Sequence, residues 1–399
     1  MIFIKVIVIG GGASGLVTAI KSKTNNNEVT ILERNSSCGK KILVTGNGRC
    51  NYWNDNQEIY NYDSNNNELI EKLINKETEK EVLDFFNELG IVPKIKNGYW
   101  YPSTNQAMTI KDALVDECIS KGIIIKNNYL VEKIEKKQNK FIVNNELEFD
   151  ILVLSTGSNT QKVTGSDGMG YNFLKEMNHN IIKPLPALVQ LNTKKYNFLN
   201  KWKGIRTDVE LTQIENGNEV RKEVGEIQLT DYGISGICVF DLSLYITKGL
   251  EDNKKEAVEI NFIPNIKIND LLNNNRSIRR VLDNIINKKI VEILLEESKI
   301  DGNKKYLELS IQEKEKLLEL LTKFKVEIIS TKSFDSSQVS RGGLSLKDIN
   351  LDTMESKVIN NLYITGELLD ITGICGGYNL GICWRSAIKA GNSIRGKND

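Results

Sequence analysis

One histidine, His179, serves the whole chain of 399 residues. Metal sites built on several imidazoles are thereby excluded, and a Ser-His-Asp triad would have His179 alone to use. There are six cysteines, Cys38, Cys50, Cys118, Cys238, Cys375 and Cys383, and none stands in C-x-x-C spacing. No zinc or other metal site is expected from them. Lys+Arg is 53 against Asp+Glu 52. So balanced a chain carries no bulk charge to hold a nucleic acid or a membrane surface, and we expect neither as partner. No apolar run approaches the ~20 residues that span a bilayer. The chain opens directly on strand-like residues, so we expect no signal peptide, reduced thiols and a cytoplasmic location. Asparagine is plentiful, and the runs 25–27, 65–67 and 273–275 read as loops.

What is present is glycine in a particular order. Phe3–Ile9 reads as a buried strand and feeds into Gly10-Gly11-Gly12-Ala13-Ser14-Gly15. This is G-x-G-x-x-G placed where a strand gives way to a helix, and Val29-Thr30-Ile31-Leu32 then runs into Glu33 and Arg34. Gly10 permits the turn, Gly12 lets the backbone approach a pyrophosphate, and Gly15 lets the helix sit close to the strand. The N–H groups at Ala13 and Ser14 open the helix and offer partial positive charge to phosphates. Glu33 is placed to accept from a ribose diol. The fold class expected is α/β: a Rossmann-like dinucleotide-binding domain interrupted by an insert.

The organisation follows from pattern. Helices are expected over 68–89 and from Pro102–Asn105 to about 121, and strands over 123–125, 141–143 and 150–154. The last strand runs into Thr156 and Gly157. Residues 187–265 alternate short β-like runs with turns and read as a small antiparallel sheet or barrel. Residues 266–325 read as a charged helical insert. From 326 the chain returns to the first domain, with the strand 362–365 ending on Gly366 and Glu367. The domains expected are thus 1–186 with 326–399, 187–265 and 266–325.

The dinucleotide itself is narrowed by Thr45-Gly46-Asn47-Gly48-Arg49-Cys50-Asn51, preceded by Lys41. A plain NAD dehydrogenase needs no such cationic glycine loop, whereas the ribityl arm and ring of FAD need extra donors. The strand, the turn through Gly376 and Gly377 and the helix opening on Tyr378 and Asn379 would add a second helix N-terminus. One of Glu367 and Asp370 would bond the ribityl chain. Arg49 has two readings: stabilising charge on the reduced ring or a substrate carboxylate, or clamping a phosphate or backbone. Tyr232 is either a proton donor to a substrate carbonyl or part of a packed turn. Cys50 and Cys375 are better read as small buried thiols than as a redox pair. His179 is expected at the surface, and Trp384 and Met354 in the core.

These motifs resemble the bacterial FAD-dependent flavoproteins of the aminoacetone oxidase-like and bile-acid reductase-like family. The resemblance also rests on Pro186-Ala187-Leu188-Val189, Tyr232-Gly233-Ile234-Ser235-Gly236, Thr353–Lys357, Gly366–Asp370 and Gly376–Leu380, which span nearly the whole chain in order. It implies a split FAD domain with an inserted β-rich and helical portion. Many members have His before the Tyr-Gly-x-Ser-Gly motif and Pro after it; here Asp231 and Ile237 stand there, so no role of that histidine carries over. The activity implied is an FAD oxidoreductase. The reading preferred is reduction of a conjugated carbonyl with hydride from NADH or NADPH, bound transiently because G-x-G-x-x-G occurs once. Oxidation of small amines by oxygen is the alternative. A flavin-binding redox sensor and a flavin-free NAD dehydrogenase are further options.

Overall fold

A computed structural model describes residues 3–397, apart from 269–271 and 273–274. The chain folds as two compact units, 1–185 with 338–399, and 186–337.

The first unit is built on a parallel sheet. Its strands β1 (Ile4–Ile9), β2 (Asn27–Leu32), β3 (Ile124–Lys126), β4 (Ile151–Leu154) and β5 (Leu362–Ile364) lie in the order β5-β4-β1-β2-β3. Two short antiparallel strands, Ile349–Asn350 and Glu355–Ser356, extend the β5 edge. The central strands carry unbroken apolar runs because parallel strands are covered on both faces; Val6, Ile7 and Val8 are fully buried, as are Leu152 and Val153. Helix α1 (Ala13–Ser22) follows β1 and packs on the C-terminal helix Tyr378–Gly396. Gly391 permits that approach, since a Cβ there would lie 2.5 Å from Lys21 Cβ.

The second unit is a closed six-stranded antiparallel barrel. The strands run Leu191–Thr193, Gly233–Ser235, Asn218–Leu229, Arg206–Glu215, Glu256–Asn261 and Phe324–Thr331, and the last pairs back with the first. The helix Ile237–Glu251 and the helices Ile278–Leu282, Lys288–Ser298 and Ile311–Thr322 share one apolar core with the barrel.

Several expectations shift. The β-rich and helical inserts form one unit, because the last barrel strand comes after the helices. The return to the first unit therefore falls at 338 rather than 326. The helix expected over 68–89 starts only at Lys76; Asn75 caps it by accepting from Thr78 N–H, and residues 67–72 form a 3₁₀ turn. The second expected helix spans Ala107–Ser120 and starts without a side-chain cap. The Asn25–Asn27 run is partly strand: Asn27 begins β2, fully buried, and donates to Ser22 O at 2.8 Å. Asn273 and Asn274 lie outside the described residues. His179 is not at the surface. Its ring is buried and bonds Ser356 Oγ at 2.7 Å and Leu174 O at 3.2 Å, and burial holds its pKa below the ordinary value. Among the described residues no helix is long and apolar enough to cross a membrane.

Candidate functional site

The three glycines of the fingerprint do different work. Gly10 has φ +101°, and a Cβ there would meet Ser155 O at 2.5 Å. A Cβ on Gly15 would fall 1.9 Å from Gly10 O, so only glycine lets α1 sit this close to β1. Gly12 caps α1, and a Cβ built on it meets nothing within 4 Å. The glycine that needs no room for its own packing therefore opens onto free space at a helix N-terminus, as a pyrophosphate requires. Ala13 and Ser14 begin the helix there.

Glu33 ends β2 as a buried carboxylate. Its Oε2 accepts from Gly11 N–H at 2.8 Å, and its Oε1 accepts from Asn35 N–H and Nδ2, each at 2.7 Å. The acid thus ties the glycine turn to the loop after β2. Arg34 points outward to an ion pair with Asp167.

On the β4 and β5 side the residues converge. Ser155 and Thr365 hydroxyls bond at 2.7 Å, and Gly366, at φ +74°, abuts Ser14 so closely that a Cβ would reach its Oγ at 2.4 Å. Lys41 Nζ pairs with Glu367 Oε2 at 2.7 Å and donates to Thr160 Oγ1 at 2.8 Å, while Ser158 Oγ donates to the same carboxylate at 3.2 Å. Lys41 and Glu367 therefore neutralise each other. Gly157, at φ +72°, packs against Ser166. Asp370 is engaged elsewhere. Its carboxylate accepts from Asn65 N–H at 2.9 Å, Asn65 Nδ2 at 3.2 Å and Ser64 Oγ at 3.3 Å, and burial raises its pKa. That role belongs to the Asn65–Asn67 run, which sequence alone made a plain loop.

The second glycine loop is strained. Gly46, Asn47, Gly48 and Cys50 all have left-handed φ, and Asn47 and Cys50 carry side chains there. Such residues cluster where a ligand must be held. Gly46 to Arg49 are exposed. Arg49 Nε donates to Gly46 O at 3.3 Å, and its guanidinium lies 5.4 Å from the centre of the Tyr101 ring. The loop ends at the C-terminal helix: Gly377, at φ +93°, caps that helix, and a Cβ on it would lie 3.2 Å from Asn51 Oδ1. Tyr378 is buried edge-on to Tyr62, and Asn379 clamps Gly373 by donating to its carbonyl at 2.8 Å and accepting its N–H at 2.9 Å. Asn379 is thus a structural clamp on the turn.

Two polar atoms among the expected cofactor residues are buried without a partner among the described residues: Asn51 Oδ1 and Thr156 Oγ1. Buried polar atoms are almost always bonded. With the open space at Gly12, these unsatisfied atoms fit a polar ligand running from α1 toward the second loop, the course FAD would take. Burial pushes the Cys50 thiol up to about 12, so it is not a thiolate at neutral pH, and all six cysteines are free. Tyr232 lies in the second unit, half-buried, with Lys332 Nζ 3.9 Å from its ring centre.

Sequence reasoning missed three elements. Asn54 donates to Gly376 O at 3.0 Å, and Thr160 accepts from Lys41; neither lies in a glycine motif. Arg385 sits on the C-terminal helix, fully buried, stacked 4.7 Å from the Trp53 ring centre, with no hydrogen-bond partner for its three nitrogens among the described residues. Its helical spacing among apolar residues gave no sign of it.

Residues 4–393 match the HI0933-like protein Rossmann domain. The 3-dehydro-bile acid delta(4,6)-reductase of Clostridium scindens is 35% identical over 97% of this chain and 98% of its own length. The ribosomal RNA dihydrouridine synthase of Escherichia coli is 27% identical over 96% and 95%. In overall fold the chain matches the 3-ketosteroid delta1-dehydrogenase of Sterolibacterium denitrificans, with a TM-score of 0.51 at 10% identity over the full length of both. The chain belongs to the HI0933-like Rossmann family and is an oxidoreductase with the Rossmann-like FAD-binding fold.

Proposed function

We propose that this protein is an FAD-dependent reductase that saturates a carbon–carbon double bond conjugated to a carbonyl. One observation carries the reading: kinship over nearly the full chain with two reductive enzymes whose named substrates share that bond. A 3-oxo steroid with unsaturation at carbons 4 and 6 is a conjugated ketone. Uridine likewise holds its C5=C6 bond in conjugation with the C4 carbonyl. The chemistry that bound FAD would supply is relay of a hydride from NADH or NADPH to the β-carbon. The balance is one hydride and one proton added to the substrate, with the nicotinamide oxidised.

The chain's own residues bind and orient. The N–H groups opening α1, beside Gly12, hold the pyrophosphate. Glu33 fixes the glycine turn and meets the ribose, and Asn51 and Thr156 satisfy their buried oxygens on the cofactor. Arg49, exposed and stacked on Tyr101, polarises the substrate carbonyl oxygen. Tyr232 is our proposed proton donor to the α-carbon.

Anaerobic mixing of the yellow protein with NADH and then NADPH tests the reading. Bleaching of the flavin band, reversed by a 3-oxo-4-ene steroid or by uridine-containing RNA, supports it and separates the two substrate classes. A flavin that neither nucleotide bleaches overturns it in favour of an oxidase of small amines using oxygen.

A further inference from the structure

Of the hairpin formed by Pro93–Lys96 and Tyr99–Pro102, only Tyr101, on which Arg49 stacks, enters the binding scheme above. Its register sets Lys94 opposite Tyr101 and Lys96 opposite Tyr99. Directly opposed residues share a face of the sheet, and alternate residues return to it. One face therefore carries both lysines and both tyrosines, while Ile95 and Trp100 take the other. Asn54, opposite Tyr99, joins the first face. Lys94, Lys96 and Tyr99 are exposed. Neither lysine side chain has an ion-pair or hydrogen-bond partner among the described residues. Arg49 adds a third cation where its guanidinium stacks on Tyr101.

This face also has a fixed place. The Tyr99 ring packs on Gly376, where a Cβ would come 2.7 Å from Cε1, and Asn54 Nδ2 bonds Gly376 O. The patch therefore borders the turn that opens the C-terminal helix, beside the second glycine loop.

The geometry points to a docking face for the pyridine nucleotide donor: flat rings against Tyr99 and Tyr101, phosphates on Lys94, Lys96 and, in the half-reaction before substrate enters, Arg49. Aromatic rings beside cations are what a base with attached phosphates selects. Two features favour a single dinucleotide over a polynucleotide. The cations number three, which suits a pyrophosphate and a 2′-phosphate, whereas affinity for a polynucleotide grows with the number of phosphates neutralised along it. The chain also holds one G-x-G-x-x-G, already committed to the cofactor, so a second dinucleotide needs a site of another kind. The inference rests on the reductase reading.

The test uses the FAD-loaded protein. Lys94→Ala/Lys96→Ala changes two exposed side chains. It should raise the NADPH concentration for half-maximal bleaching about tenfold, with Lys94→Arg/Lys96→Arg recovering most of the loss. Calorimetric titration of the oxidised protein with NADP+ should show the same weakening and a steep dependence on salt in the wild type. If the wild type bleaches and the double alanine variant bleaches at the same concentrations, the docking face is wrong and the reductase reading survives. If neither nucleotide bleaches or binds the wild type, both fall. If the double variant loses affinity for an oligouridylate but keeps its affinity for NADPH, the face belongs to RNA and the inference is overturned.

Discussion

The two units treat buried charge and backbone strain differently. Among the described residues the first buries Glu33, Asp63, His179, Asp370, Arg341 and Arg385, while the second buries the carboxylates of Asp241 and Glu256. The first also gathers four left-handed residues, Gly46, Asn47, Gly48 and Cys50, into one loop. The barrel and its helices instead share an apolar core in which Leu242, Val258, Val291 and Leu294 are fully buried. Burying charge costs free energy unless it is paired. Arg341 and Asp63 meet that cost in a 2.7 Å ion pair, whereas Arg385 does not. The lesson is that the first unit keeps unpartnered polar atoms and open backbone where we propose that the cofactor lies, whereas the barrel and its helices rest on a shared apolar core.

The sharpest way to break the comparison is Gly15→Ala. Its Cβ would overlap Gly10 O, so the flavin-free protein should lose more than about 3 kcal/mol in urea unfolding. A wild-type midpoint would show that α1 does not need to sit so close. Gly12→Val separates binding from folding. No atom lies within 4 Å of the added Cβ, so the flavin-free protein should unfold within about 1 kcal/mol of wild type. Purified flavin content should nonetheless fall to near zero. A fully yellow variant would misplace the cofactor.

In the second unit Leu294→Ala should cost about 2–5 kcal/mol through transfer and cavity effects, while the protein that remains folded keeps its flavin. Loss of flavin in parallel with stability would erase the division of labour between the units.

Glu256 gives that unit a pH signature. Burial is the main cause that raises its pKa from the ordinary 4.5 to about 7, with Glu215 adding to the effect and a hydrogen bond from Gln213 opposing it. Between these values the folded state holds a proton the unfolded state has lost. Stability therefore falls as pH rises from about 4.5 to about 7 and is level above. Glu256→Gln should flatten that part of the unfolding profile. A profile identical to wild type would show the carboxyl to be ionised in the fold.

The smallest expected change is in Arg385→Met. A buried, unbonded guanidinium contributes little net stability, so the flavin-free variant should be as stable as wild type or slightly more so. A loss of about 3–5 kcal/mol would mean that the guanidinium is paired after all.

The first βαβ unit was legible in the sequence because its signals are local. An apolar run, three glycines at fixed spacing and an acid at the end of the next strand each act on backbone within a turn or two. Parallel strand identity at β1, β2 and β4 followed for the same reason. The boundary at 338 was not legible, because Phe324–Thr331 becomes a barrel strand only by pairing with Glu256–Asn261 and Leu191–Thr193, far away in sequence. His179 looked like a loop residue between two asparagines, yet a partner 177 residues away buries it.

The sequence by itself determined the nucleotide-binding turn, the cationic glycine loop and the family. Those features depend on what glycine, asparagine and arginine do to nearby backbone. The tertiary structure alone decided that Lys41 is neutralised by Glu367, that Asp370 serves Asn65, and that Arg385 is buried without a hydrogen-bond partner among the described residues. It also decided that Lys94, Lys96, Tyr99 and Tyr101 share one face beside Gly376. Each of these depends on which distant segments pack together. Burial and charge pairing are properties of that packing, and no local spacing encodes them.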